Sequence, residues 1–160
     1  MRDEVTGAPG IAAIEAAAGR LAGTARVTPL LSSPFLDEVA GRPVHVKAEC
    51  LQKTGSFKFR GAWSAVSALP EGVLGVIACS SGNHAQGVAL AARMRGLPAV
   101  IVMPADAPRT KRENTAALGA EVVLYDRTGE DRDALTERLA AGRGLHFVRP
   151  FDDADVIAGQ

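Results

Sequence analysis

The sequence has 160 residues, 47% hydrophobic and 22% charged, the composition of an ordinary globular domain, which excludes a disordered or fibrous chain. Its 18 basic and 18 acidic residues balance and no run of like charge offsets them, so neither nucleic acid nor an anionic membrane surface is an expected partner. The N-terminus "MRDEVTGAPG" lacks an apolar targeting segment and no stretch reaches about 18 uninterrupted apolar residues, so the expected setting is the cytoplasm.

In chain order, a helix is predicted around Ile11 to Leu21, followed by a Pro-containing connector "VTPLLSSPF", a strand in "VHVKAE", the motif "TGSFKFRGA", and a helix from about Lys58 to Leu69. Cys50 and Cys79 lie far apart among apolar or small neighbours, as expected of buried thiols in a reducing compartment. From residue 73 the pattern changes. The β-rich runs "VLGVIACS", "AVIVMP", "EVVLY" and "HFVRP" alternate with helical segments beginning at Asn83, Pro108 and Glu130, the pattern of βαβ units on a parallel sheet. Ala99 to Met103 and Val122 to Leu124 are apolar throughout, which predicts strands covered on both faces. Thr110 with Glu113 and Thr128 with Asp131 have capping-box spacing, and Gly96, Gly119 and Gly142 stand where helix stops belong. Ala134, Leu135, Arg138 and Leu139 are expected to form the inner stripe of the last full helix. The closing "PFDDADVIAGQ" reads as a helix just begun, and the chain is expected to be cut there.

Two stretches could carry chemistry. "CSSGNHAQG", Cys79 to Gly87, lies where a parallel strand hands over to a helix, the place where open α/β sheets bind ligands. First-turn amides and the helix dipole can hold a carboxylate or phosphate there, with Ser80, Ser81, Asn83 and His84 adding polar side chains. The plain alternative is a Ser-Gly turn with Asn83 as helix cap. The other stretch places Lys58 between Phe57 and Phe59 at a helix start. Desolvation and the positive end of the dipole would favour the neutral amine, the nucleophile of Schiff-base chemistry; a surface lysine lying over two aromatics is the alternative. Phosphate-loop, zinc-protease, nucleophile-elbow and dinucleotide-binding motifs are absent from the sequence. His45 and His146 fall in or at strands, so no metal site is expected.

Together these stretches resemble the fold-type II pyridoxal-phosphate enzymes, specifically the serine/threonine dehydratase (threonine ammonia-lyase) and serine racemase group. The likeness runs from "TPLLSSPFLDEVAGRPVHVKAECLQKTGSFKFRGA" through "SSGNHAQGVALAA" and "MPADAPRTKRENTAALGAEVVLYD" to "PFDDADVIAGQ". The resemblance implies an α/β fold in which 1–72 begin a large cofactor-binding domain, 73–149 form a small parallel-sheet domain, and 150–160 start the return to the large one. It implies pyridoxal 5'-phosphate as cofactor, Lys58 as Schiff-base lysine and α-proton base, Phe57 against the ring and Asn83 on its phenolic oxygen. Ser80, Ser81, Gly82, Asn83 and His84 would hold the substrate carboxylate, and Ser81 matches the second acid/base of the racemases. Phe59, where threonine and cysteine synthases usually carry aspartate, favours the dehydratases.

The expected activity is ammonia release from L-threonine or L-serine, with serine racemisation or hydroxyaspartate deamination as alternatives and a small hydroxy amino acid as partner. A homodimer is expected of the full-length form. The family's glycine-rich phosphate loop has no counterpart in these residues, so the 160-residue chain alone is expected to leave apolar surface uncovered, to bind cofactor weakly and to turn over poorly. A catalytically silent fragment or partner-binding module is the alternative from another class.

Overall fold

A computed structural model describes residues 8–160. Its centre is a parallel four-stranded sheet of β3 (Val76–Cys79), β4 (Ala99–Pro104), β5 (Glu121–Tyr125) and β6 (His146–Phe147), in the order β5-β4-β3-β6. The register pairs Val76 with Ala99 and with His146, and Val100 with Glu121. Helices α4 (Asn83–Arg95), α5 (Arg109–Ala117) and α6 (Arg132–Arg143) make the crossovers.

The pleat explains why the central strands read as unbroken apolar runs. Val76 and Ala78 of β3, with Ala99, Ile101 and Met103 of β4, face a core shared with α4 and with α3 (Lys58–Ala68). Ile77, Cys79, Val100 and Val102 face the opposite core, closed by Leu135 of α6 and Tyr125. Alternate side chains thus feed two cores, so both periods of the strand must be apolar. β5 departs from this expectation: it is an edge strand, with Glu121 and Leu124 exposed and only Tyr125 buried.

Before the sheet come α1 (Ile11–Leu21), β1 (Leu30–Ser32), α2 (Pro34–Ala40) and β2 (His45–Lys47), then two 3-10 turns, Glu49–Leu51 and Lys53–Gly55. β1 and β2 pair antiparallel, Leu30 with Lys47. The segment read as a connector therefore holds β1 and the start of α2, an element the sequence reading lacks. α2 buries none of its residues and leaves Phe35 and Val39 exposed, so no amphipathic stripe marks it. Leu30, Leu31 and Val27 are also exposed, in line with the expected uncovered apolar surface. Cys79 is buried as expected, but Cys50 is exposed because it lies in a one-turn 3-10 helix that buries no residue.

Helix ends correct several expectations. α5 starts at Arg109 after Pro108, and Glu113 pairs with Arg109 at 2.6 Å instead of closing a box with Thr110. Asp131 is itself the N-cap of α6, accepting from the amides of Asp133 and Ala134, while the Thr128 amide and hydroxyl donate to Asp126. α4 stops at left-handed Gly96 as predicted, whereas α6 runs through Gly142 to left-handed Gly144. The inner stripe of α6 is Leu135, Thr136, Leu139 and Ala140, with Ala134 and Arg138 outside.

α7 (Ala154–Gly159) returns the chain onto α3. Glycines set the distance: a Cβ on Gly61 would stand 2.6 Å from the Val156 carbonyl oxygen, and one on Gly159 2.4 Å from Ser64 Cβ. Arg20 of α1 ties the same corner, donating to Ser64 Oγ and Asp155 at 2.9 Å each, while Trp63 Nε1 donates to the Arg20 carbonyl at 2.8 Å. Arg95, in the last turn of α4, donates to the carbonyls of Val66, Ser67 and Leu69, closing the C-terminal end of α3.

Candidate active site

Lys58 is the first residue of α3. Its helix begins from the turn Lys53–Gly55, where Thr54 holds φ 60°, the one positive φ of a non-glycine among the described residues. A β-branched residue in that region is strained. Gln52 clamps the turn: its buried side chain accepts from the amides of Arg26 and Lys53 and donates to the Arg26 carbonyl.

The Lys58 ammonium group donates to the Pro150 carbonyl and to Gln160 Oε1, both at 2.9 Å, and lies 5.2 Å from the centre of the Phe57 ring. Burial lowers its pKa below the ordinary lysine value, because removing water penalises the charged form. The two phenylalanines part company. Phe59 is fully buried with Lys53 over its ring, whereas Phe57 is 41% exposed and is the aromatic face presented beside the amine.

The polar loop stands at the C-terminal end of β3. Ser80 N extends the ladder to the Val102 carbonyl, and Ser80 Oγ accepts from Gly82 N at 3.1 Å. Gly82 is the N-cap of α4 and provides no side-chain cap. Asn83 is therefore the exposed first residue of the helix instead of its cap, and Ser81 is half-buried at the same mouth. The first-turn amides of α4 have no acceptor within their own helix.

His84 turns inward. It is 3% exposed, and its Nε2 lies 3.1 Å from the Val148 carbonyl oxygen. A carbonyl only accepts, so Nε2 carries the proton and the buried Nδ1, which has no hydrogen-bond partner, keeps its lone pair. Burial lowers the His84 pKa to about 4, opposed by the Val148 bond and reinforced by the charge of Lys58.

Gly87 brings the two parts together. A Cβ there would meet Lys58 O at 3.1 Å and Phe59 N at 3.3 Å, so α4 crosses directly over the start of α3. The Lys58 amine, the Phe57 ring and the loop Ser80 to His84 thus belong to one corner. Sequence reasoning missed Pro150 and Gln160, the acceptors of the amine, which lie 92 and 102 residues beyond Lys58. Among the described residues no helix is long and apolar enough to cross a membrane, and no group of three or more His, Cys, Asp or Glu residues could hold a metal ion.

Residues 21–160 match the family model described as "Pyridoxal-phosphate dependent enzyme". The chain is 51% identical over 146 residues to an L-threo-3-hydroxyaspartate ammonia-lyase of a Pseudomonas species, covering 90% of this chain and 46% of that protein. It is 48% identical over 135 residues to the L-threonine ammonia-lyase of Thermotoga maritima, covering 83% and 34%. The structure of maize serine racemase superposes with a TM-score of 0.90 at 37% identity, over 96% of this chain and 47% of that one. The chain thus spans less than half the length of these relatives.

Proposed function

Because this chain belongs to the pyridoxal-phosphate-dependent enzyme family, we propose that it carries the Schiff-base lysine and the substrate-facing loop of an ammonia-lyase acting on small β-hydroxy amino acids. The observation that carries this reading is the Lys58 amine, which burial pushes toward its neutral form beside an exposed aromatic ring and a helix N-terminus. In the same reading residues 1–72 and 150–160 belong to the large domain and 73–149 to the small one, and the full-length form is a cytoplasmic homodimer.

The residues present fit pyridoxal phosphate: an amine of lowered pKa suits its aldehyde, Phe57 offers a face to a flat ring, and Asn83 at the mouth of α4 can donate to a phenolic oxygen. The bound cofactor supplies the electron-withdrawing ring that makes a substrate Cα–H acidic enough to be removed. Lys58, as the neutral amine, accepts the α-proton. The hydroxyls of Ser80 and Ser81 and the amides of Ser81, Asn83 and His84 would hold the substrate carboxylate, the helix amides through the dipole, with Gly82 making the turn between them; the Ser80 and Gly82 amides are engaged by the Val102 carbonyl and Ser80 Oγ. The β-hydroxyl would leave as water with the proton that Lys58 took from Cα, and water would then release ammonia and the keto acid. Ser81, a hydroxyl at the mouth, is the second proton carrier that a racemase would need.

Threonine would give 2-oxobutanoate and serine pyruvate. A second reading, threo-3-hydroxyaspartate as substrate, is favoured by the 51% identity to the Pseudomonas enzyme.

The test uses the full-length protein containing this sequence. Borohydride reduction should fix pyridoxal phosphate to Lys58, identified by peptide mass mapping, and Lys58→Ala should lose both the attachment and keto-acid release. Threonine, serine and threo-3-hydroxyaspartate are compared by keto-acid yield, and D-serine formation is followed in parallel. Attachment at another lysine, or full activity in Lys58→Ala, would overturn the reading.

A further inference from the structure

We propose that His84 is a positioning residue for the Lys58 amine, acting through the connector that leaves β6. His84 Nε2–H donates to the Val148 carbonyl at 3.1 Å, and the Lys58 ammonium donates to the Pro150 carbonyl at 2.9 Å. Two groups of the candidate site therefore hold carbonyls two residues apart on one segment. The assignment of Lys58 to the chemistry rests on the function proposed above.

The first residue of the connector is anchored by its side chain, since Val148 is fully buried in the core shared with α3 and α4, but the segment beyond it has few contacts of its own. Val148 N donates to the Ile77 carbonyl at 2.9 Å, which continues the sheet ladder by one step. Pro150 has no amide hydrogen, so the position carrying the acceptor for Lys58 cannot be fixed by its own N–H. The next anchor downstream is the N-cap of α7, where Asp153 accepts from Asp155 N and Val156 N. Arg149 points away, with its guanidinium over Phe147 and its nearest acid the exposed Glu137. His84 is thus the side chain that holds the Val148 carbonyl, the last backbone group before the connector departs.

The ring is suited to this task and not to direct proton transfer. Nε2 is engaged with a carbonyl, and Nδ1 is sealed from solvent without a partner. A wholly buried neutral imidazole costs free energy unless its donor is satisfied, so the Val148 bond has a strong preference for one ring orientation. If that bond is lost, the Val148 carbonyl can turn and the Arg149–Pro150 step beyond it can lift, water reaches the Lys58 amine, and the desolvation that holds its pKa down is relieved.

Competitive labelling of Lys58 with an amine-specific acylating reagent, followed against pH in the cofactor-free full-length protein, reads this directly. His84→Phe, which keeps a ring but has no donor, should raise the apparent Lys58 pKa toward the ordinary lysine value and lower labelling severalfold at a fixed pH below it. His84→Gln, whose amide nitrogen reaches about as far as Nε2, should restore the wild-type profile. An unchanged Lys58 profile in a folded His84→Phe protein would overturn the proposal. Should that variant fail to fold, nitrogen NMR of the wild-type imidazole decides: the Nε2–H tautomer supports the proposal, and an Nδ1–H tautomer refutes it. If borohydride places the cofactor elsewhere while labelling behaves as stated, the functional reading fails and the His84 linkage stands.

Discussion

Replacing Gly61 by alanine tests the packing that delivers Gln160 to the Lys58 amine. The new methyl carbon would lie 2.6 Å from the Val156 carbonyl oxygen, 2.8 Å from Gln160 Cγ and 3.0 Å from Val156 Cγ1. Ordinary contact begins at 3.4 Å, so α7 must retreat by roughly 0.8 Å, and the nearest obstacle is backbone that cannot rotate aside. Overpacking of this kind costs about 1–3 kcal/mol, against a gain of up to about 1 kcal/mol for alanine over glycine inside a helix. The expected net loss is therefore about 1–2 kcal/mol, or roughly 2–8 °C in Tm for a chain of this size. Gly142→Ala is the control, since α6 has nothing within 4 Å of a Cβ there and only the propensity gain remains, a stabilisation of about 0.5–1 kcal/mol. Urea unfolding of both variants against wild type makes the comparison. A Gly61→Ala protein as stable as wild type would refute the argument that α3 and α7 touch through backbone at this point.

Arg95→Ala should lower stability by about 2 kcal/mol, because three carbonyls at the end of α3 lose a charged donor; Arg95→Lys, without the fork, should recover only part of this in urea unfolding. Acid stability should report His84. Its folded value of about 4 lies below the ordinary 6.5, so the unfolded chain takes up the proton first. The associated stability is complete above about pH 6.5 and falls by up to about 3 kcal/mol as pH drops toward 4. The wild-type curve minus the His84→Gln curve should show that slope, and parallel curves would contradict it.

The parallel sheet was legible because its central strands serve two cores, so "VIAC" and "AVIVMP" had to be apolar at every position. Edge status was not legible in "EVVLY", since three apolar residues look alike whether or not a neighbour covers them. α2 escaped because an exposed seven-residue helix has no buried face to pattern. The box read at Thr128 and Asp131 was misplaced because its closing acid is itself the cap, its carboxylate adjacent to the helix and able to accept two first-turn amides. At the candidate site, Lys58 was singled out by its place between two phenylalanines at a helix start. His84 was recognised as polar but not as inward-facing, because its acceptor lies on another strand end 64 residues away.

The crossing at Gly87 has a mechanical consequence. α4 bears on the backbone of Lys58 and Phe59, so if the sheet unit rocks against α3, this contact is the fulcrum. Asn83 lies four residues from it, a lever arm of about 6 Å at the rise of an α-helix. A tilt of about 10° would carry the polar mouth only about 1 Å relative to the amine, while the far ends of the strands swing several times as much. The candidate site would thus lie near the pivot, where such a tilt leaves the loop in register with the lysine.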